Sequence, residues 1–485
     1  MQIGHRFRCY PSPAQEQILL RWLGCQRFIY NAKVGEDRYF RAFARKALAL
    51  TGTQPPVDQA YSQFIGPDTA WLRDVPSQVL RNGAARFAQA YQRFFKGLAG
   101  RPRIHRRHGP QSLWLTSELF AFEPIVSTQT GEILGHRLLV GTRKAPVGPI
   151  VFTAHKDYGL PASIRLVLDG GRWYLTFSAE DGAPEPDEND TLSRLRQLSE
   201  EELLPATFGG DRGVGIPLAG NHGQRFDFSL VQRARIAKKE ARARRWQRRL
   251  VRRRKGSRNR EKAKRQVAAA KRYTRNVRQD FAHQASHQLV ADGRYVLYVF
   301  EDLKIRNLTA APKAKPDGAG GWLKNGARAK AGLNKAILAS AWGRIATFTH
   351  YKARRAGKLC LRVPPHHSSQ ECASCGHIHP ENRISQSEFV CQRCGHTDHA
   401  DHNAGQVIAR RGVRLLLSGE YQPPRRTRCA LRRQTERKLG PERSEVTPGE
   451  SPVSRPAGNG RTQRTRNQEA KAARPETPAT TAPAV

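Results

Sequence analysis

Long apolar runs are missing from this chain: no stretch approaches the roughly 18 consecutive apolar residues of a membrane-spanning helix, so no membrane partner is expected. Acidic side chains are scarce. Forty-one Asp and Glu face 84 Lys and Arg, leaving a net charge of +43. A compact state with that charge repels itself unless a polyanion neutralises it, which makes nucleic acid the expected partner. Cysteine is sparse too: of eight, Cys9, Cys25, Cys360 and Cys429 are scattered, and no secretory signal precedes them. A disulfide framework is therefore disfavoured, and a cytoplasmic, nucleoid-associated location is expected. Aromatic residues and isoleucine are absent from the last 64 positions, after Tyr421. A tail at 421–485 dominated by Pro, Arg, Thr and Glu cannot bury a core and is expected to be disordered.

What is there begins with His366 to Ala404, HHSSQECASCGHIHPENRISQSEFVCQRCGHTDHADHNA. Two Cys-x-x-Cys pairs, Cys372/Cys375 and Cys391/Cys394, stand fifteen residues apart. Each pair aims two thiolates at one point, so together they close a tetrahedral zinc site without an open position; the zinc is structural. Gly376 and Gly395 supply permissive backbone after each knuckle. His377, His379, His396, His399 and His402 are alternative ligands, but four thiolates already fill the shell.

At 485 residues the chain has room for two or three domains. Residues 3–10 alternate like a strand, and Ser12 with Pro13 opens a helix running to about Leu50. A second helix spans Pro76 to Leu98. The basic turn GRPRIHRR ends this segment, offering Arg101, Arg103, Arg106 and Arg107 to phosphate. Short strands follow, Phe120–Val126, His136–Val140, Ile150–Thr153, Ile164–Leu168 and Trp173–Ser178, whose spacing suggests a small barrel or sandwich. Residues 181–202 are acidic and Pro-containing and read as a linker. From Arg233 to Arg278 there are 22 basic and 2 acidic residues at helical periodicity. That imbalance reads as an arm along phosphates, carried by Arg244, Arg245, Arg248, Arg249, Arg252, Arg253, Arg254 and Lys255. Tyr295–Phe300 is a strand buried on both faces. Lys304–Gly332, without periodicity, reads as a lid or loop, and Asn334–Ala356 as a helix.

Three acids share one kind of position. Asp211 and Glu301 sit at strand ends, and Asp401 opens a helix near the sheet. Asp211 taken alone reads as an ordinary turn residue. The order strand, hairpin, helix, strand with acid, helix, strand, helix with acid is that of an RNase H-like sheet, in which distant carboxylates converge. Such a cluster needs a hard cation, and Mg²⁺ takes oxygen ligands. A two-metal site of that kind hydrolyses phosphodiesters.

These residues resemble the OrfB/TnpB family of insertion-sequence transposons, relatives of the type V CRISPR nucleases. The resemblance runs from about Gly4 to Val413. It is carried by HRFRCYPSPAQEQILLRWLGCQRFIYN, RFAQAYQRFFKGLAGRPRIHRR, WYLTFS, GDRGVG, FEDL, YKARRAG, SSQECASCGH and CQRCGHTDHADHNAG. It implies a multidomain α+β chain. An RNase H-like (RuvC) α/β nuclease domain at 206–365 and 396–420 would carry the inserted zinc ribbon at 366–395. A β-barrel wedge domain at 1–12 and 105–205 would carry a helical recognition insertion at 13–104. Asp211, Glu301 and Asp401 match the family's catalytic, Mg²⁺-binding acids, and the four cysteines its zinc ligands. The implied activity is RNA-guided: a guide RNA from the transposon end directs cleavage of double-stranded DNA beside a short motif, base pairing choosing the sequence.

Pro217 interrupts the strand after Asp211, and Gly405 stands where many members have Ala. Three readings of function remain: the nuclease, a nuclease-dead guided DNA-binding repressor, and a strand-joining transposase. With all three acids present the second is disfavoured, and without a tyrosine-nucleophile motif paired with histidines so is the third. The ribbon either braces Asp401 or touches DNA near the cut. The chain acts as a monomer or a dimer on its RNA.

Overall fold

The computed structural model describes residues 2–44, 57–107, 111–127, 129–131, 133–184, 186–318 and 321–423. The expected disordered tail from 424 on and the helix expected over 45–50 lie outside these. Met1–Arg432 forms one compact unit.

Seven antiparallel strands lie in the order β2-β6-β7-β1-β5-β4-β3. They are β1 (Gln2–Tyr10), β2 (Gln111–Thr116), β3 (Phe120–Val126), β4 (Ile133–Gly141), β5 (Pro146–Thr153), β6 (Ser163–Asp169) and β7 (Arg172–Glu180). The sheet curls about a shared core in which Phe7, Leu113, Leu138, Ile150, Leu166 and Leu175 are fully buried. The hydrogen-bonded ladder does not close, however, and β2 and β3 are its edges. Two helices between β1 and β2 complete that core: α1 (Pro13–Tyr39) and α2 (Ser77–Phe95). Ser12 and Gln15 form a reciprocal cap on α1. The helices also finish the edge of β2. The Gln26 amide donates to the Trp114 carbonyl at 2.8 Å and accepts from the Trp114 N–H at 2.9 Å, while Arg86 donates to the Ser112 carbonyl at 2.8 Å.

Residues 188–203, read as linker, fold as α3 (Glu188–Leu195) and α4 (Glu200–Leu203). Their acidic composition masks Leu192, Leu195 and Leu203, which are buried against the second sheet. That sheet has the order β10-β9-β8-β11-β14: β8 (Thr207–Asp211), β9 (Leu218–Gly220), β10 (Arg225–Phe226), β11 (Leu297–Glu301) and β14 (Leu359–Val363). β8, β11 and β14 are parallel, and the β8-β9-β10 meander is antiparallel. Between β10 and β11 the basic segment forms a helical hairpin, α5 (Leu230–Arg252) and α6 (Arg258–Ala291).

The expected loop after β11 contains a one-turn helix α7 (Ile305–Leu308) and a minimal strand pair, β12 (Lys315–Pro316) with β13 (Trp322–Leu323). The single helix expected next is two, α8 (Ala327–Ala339) and α9 (Trp342–Arg355). They part at Ala341, whose φ of 64° lies in the left-handed region. The knuckle segment holds β15 (Glu388–Val390) and β16 (Thr397–His399), and α10 (Ala400–Leu417) closes the fold.

Every residue of β11 is buried because the sheet is covered twice. Phe281 and Leu289 of α6 and Ile345 and Ala353 of α9 pack on one face with Tyr298 and Phe300. Ile408, Val413 and Leu416 of α10, with the leucines of α3 and α4, pack on the other with Leu297 and Val299. Strands covered on both sides are free only at their ends, where polar groups meet solvent.

Candidate functional site

At the C-terminal edge of the second sheet three elements each deliver a carboxylate. β8 and β11 are registered Gly210 to Phe300, so Asp211 and Glu301, the next residue of each, stand on adjacent strands, about 4.8 Å apart in backbone. α10 runs back over them, Gly405 against Gly209 and Gly412 against Val299. One turn before Gly405, about 6 Å along the helix, lies Asp401. Two residues past Gly209, about 6.6 Å along the strand, lies Asp211. The close approach depends on glycine: a Cβ at Gly209 would stand 2.6 Å from the backbone nitrogen of Ala409.

The charges register this convergence. Burial pushes the half-buried Asp211 carboxyl up to about 7, helped by the negative charges of Glu301 and Asp401 and opposed by the Arg383 guanidinium. Three carboxylates converging on one sheet edge, one of them with its proton retained by burial and by its neighbours' charge, fit a hard divalent cation. Glu301 is buried, and its Oε1 accepts from the Ser368 hydroxyl at 2.6 Å. Its other carboxylate oxygen has no protein hydrogen bond among the described residues. Arg212, also buried, donates to the Glu301 carbonyl, and its buried Nε has no partner among the described residues. Burial lowers that guanidinium to about 10, with Glu301 opposing. Arg383 Nη2 stands 3.6 Å from Asp401 Oδ1, and the Asp401 N–H donates to His399 Nδ1 at the head of α10.

The four predicted thiols meet. Their sulfurs all lie within 4.8 Å of one another, with Cys372 to Cys394 at 3.7 Å and Cys375 to Cys391 at 3.6 Å. A disulfide needs about 2.05 Å, whereas zinc–sulfur bonds of about 2.3 Å set tetrahedral edges near 3.8 Å. The donor set therefore fits zinc. The knuckles are near copies: Cys372 N–H donates to the His377 carbonyl and Cys391 N–H to that of His396, both at 2.9 Å. Gly376 and Gly395 hold φ of 74° and 71°. Asn382, fully buried, ties one knuckle to the other through Gln370, His377 and Gln392. Asn403 of α10 accepts from the Ala373 N–H and donates to the Glu371 carbonyl, each at 2.8 Å, and Arg411 pairs with Glu371. The ribbon is thus bolted to the helix that carries Asp401.

None of the predicted basic contacts lines the acidic cluster's hydrogen-bond network. Arg101, Arg103, Arg106 and Arg107 are exposed, on a turn held to α1 by Asn31, which exchanges two hydrogen bonds with the His105 backbone. Arg244, Arg245, Arg248, Arg249 and Arg252 are exposed on α5, and Arg253, Arg254 and Lys255 form the hairpin tip. None of these eight has an ion pair among the described residues. Ser368, Arg212, Arg383, Asn382 and Asn403 were not foreseen from sequence. Ser368 lies in the block SSQECASCGH, directly before the first knuckle, but its partner is 67 residues away.

The described residues contain no helix long and apolar enough to cross a membrane. The "Cas12f1-like, TNB domain" family matches residues 342–408, and the OrfB/IS605 "Helix-turn-helix domain" family matches 1–34. In this chain the latter segment is β1 and most of α1. InsQ of Escherichia coli (strain K12), named as a candidate RNA-guided DNA endonuclease, is 26% identical over 419 residues, 86% of this chain and 93% of its own. A similarly named protein of Streptomyces pristinaespiralis is 26% identical over 431 residues, 87% and 92% of the two chains. Among solved structures, Cas12f1 in complex with sgRNA and target DNA aligns over 84% of this chain and 98% of its own, at 12% identity and a TM-score of 0.44.

Proposed function

We propose, from the premise that the chain belongs to the OrfB/TnpB family, that it is an RNA-guided endonuclease that cuts double-stranded DNA beside a short motif. In this reading the second sheet is the RNase H-like (RuvC) nuclease domain with the ribbon inserted before its last helix. The curled first sheet is the wedge domain, and α1 and α2 belong to its recognition insertion.

One observation carries the reading: Asp211 and Glu301 end adjacent parallel strands and the helix that opens with Asp401 crosses them, so that burial first, and then the negative charges of Glu301 and Asp401, push the Asp211 carboxyl up to about 7. Asp211, Glu301 and Asp401 would hold Mg²⁺. The bound cation would activate water and offset charge at the phosphodiester. Arg383 balances the acids from the ribbon side, Ser368 fixes one oxygen of Glu301 and leaves the other for the site, and Arg212 anchors that residue's backbone. The four cysteines would hold a structural zinc, which keeps the base of α10 in register with the sheet. Sequence choice falls to the guide, and the exposed arginines of the turn 101–107 and the α5–α6 hairpin grip backbone phosphates.

The test is to purify the chain with its RNA, sequence that RNA, and challenge it with plasmids carrying a matching target beside randomised flanks. Cleavage in Mg²⁺ is expected, with Asp211→Ala and Glu301→Ala retaining RNA but leaving plasmid sealed. Cutting by either variant overturns the site. Plasmid left sealed by the parent at every flank overturns the activity and favours the repressor.

A further inference from the structure

A cavity of about 230 Å³ lies where the β6–β7 turn meets the helical hairpin. Arg172 at the start of β7, Lys239 and Arg242 of α5 and Arg272 of α6 line it, together with Tyr273 and Gln266, and no carboxylate does. Its floor is small because α6 presents Ala269 and Ala270 there. The turn reaches the helix closely: Arg272 donates to the carbonyls of Asp169 and Gly170.

None of the four cations has an ion pair among the described residues. Their neighbours differ: Arg275 and Arg6 share Asp169, and Arg278 and Lys335 share Glu240. Asp169, which attracts the Arg272 guanidinium from outside the cavity lining, is already paired with Arg6 and Arg275. Burial lowers the Arg272 guanidinium and repulsion from Arg172 adds to it, with Tyr174 and Asp169 opposing. Like charges gathered around a cavity without a counter-charge are destabilising unless an anion fills it. Polar reach is also available: Arg242 leans on Gln266 at 2.8 Å, and Lys239 lies 4.9 Å over the Tyr273 ring.

The pocket is the foot of a stripe. Lys239, Arg242, Trp246 and Arg249 follow at helical spacing along one side of α5, with Arg249 stacked on Trp246 at 4.9 Å. We infer that this pocket seats a backbone phosphate of the guide RNA at an unpaired or bulged nucleotide, from which the strand continues along α5. RNA is favoured over duplex DNA by shape: a recess set between a turn and two helices takes a phosphate from a strand splayed from its helix, and such irregular single-stranded features are what folded RNA presents. The inference rests on the guided-endonuclease reading and names where the guide is held.

The test combines Arg172→Gln, Lys239→Gln and Arg242→Gln in the full chain, sparing Arg272 because it holds the turn. RNA that co-purifies with the parent is the probe, bound to parent and variant and mapped by phosphate-ethylation interference. Three outcomes are expected together: an RNA-free melting temperature at or above the parent's, since three mutually repelling charges are gone, affinity lower by at least about tenfold, and loss of interference at one or two adjacent RNA phosphates. The log–log salt slope should also become shallower by about 0.7 per lost contact. Retention of every interfering position overturns the pocket, as does uniform weakening with none lost, or a lost position on target DNA instead. If the triple variant does not fold, Arg242→Gln, at an exposed position, takes its place under the same criteria. No RNA on the parent would overturn the guided-endonuclease reading; RNA bound alike by parent and variant would overturn the pocket alone.

Discussion

The hydroxyl of Ser368 donates to Oε1 of Glu301 at 2.6 Å, between two buried side chains that come from the entrance of the ribbon and the end of β11. The same hydroxyl is 3.3 Å from the Pro365 carbonyl, but one proton makes one strong bond, and the carboxylate takes it. Ser368→Ala frees the carboxylate to rotate, so that its other oxygen turns from the site. The Mg²⁺ midpoint for plasmid cleavage should rise about tenfold or more, the usual effect of losing a partner behind a metal ligand, while Ser368→Thr stays near the parent. A Mg²⁺ titration with an unmoved midpoint in the alanine variant would remove Ser368 from this role.

Asp211 makes stability depend on pH with a definite sign. Its folded-state value of about 7 exceeds its ordinary 3.8, so between those limits the folded chain holds a proton the unfolded chain has released. Stability therefore falls as pH climbs through that window, and the full penalty applies above it. In chelator, Asp211→Asn should melt above the parent at pH 8, the gap closing toward pH 5 and shrinking when Mg²⁺ is added at pH 8. Melting curves in which the gap widens toward acid would contradict the acid cluster.

Where α10 crosses β8 the two backbones leave no room for a further methyl on either element. Gly209→Ala would drive a methyl into the backbone of Gly405 and Ala409, and Gly405→Ala would place one 2.8 Å from the Asn221 nitrogen. Overpacking against backbone costs about 1–3 kcal/mol or more, so both variants should melt lower, Gly209→Ala the more severely. Gly24→Ala on α1, with open space around it, should gain about 0.5–1 kcal/mol. Equal melting of all three would falsify the close crossing.

Asn403 separates zinc binding from zinc's effect. Its two hydrogen bonds to the first knuckle are buried, and Asn403→Ala leaves the cysteines intact. Elemental analysis should still find one zinc per chain and RNA binding should persist, with cleavage falling as Asp401 loses its brace. Cys391→Ser should lose both zinc and cleavage. If cleavage survived in Asn403→Ala at the parental rate, the ribbon would have to act by another route.

What was legible in the sequence was local or strictly periodic. Knuckle spacing, the alternating β1, the capped start of α1 and the apolar β11 are each specified within a few residues. Asp211 and Glu301 were visible because a strand end shows in composition, and Asp401 because it opens a helix. β2 went unread: QSLWLT is brief and follows a basic turn, and its pairing with β6 is 50 residues distant. Residues 188–203 were masked by acids that face outward while three leucines face in. The α8–α9 break has neither Gly nor Pro to announce it; Ala341 is held there while the Trp342 indole donates to the Gly213 carbonyl. Ser368, Arg212 and Arg383 act through partners in other elements, a property no short window contains.

An open ladder ordinarily invites a foreign strand at either margin. Here one margin is consumed by the Gln26 amide, which mimics a neighbouring peptide for Trp114, and the other carries Pro124, which has no N–H to offer. Self-association by strand addition is thereby discouraged at both borders, so a highly charged chain can wait for its polyanion without templating aggregates of its own kind.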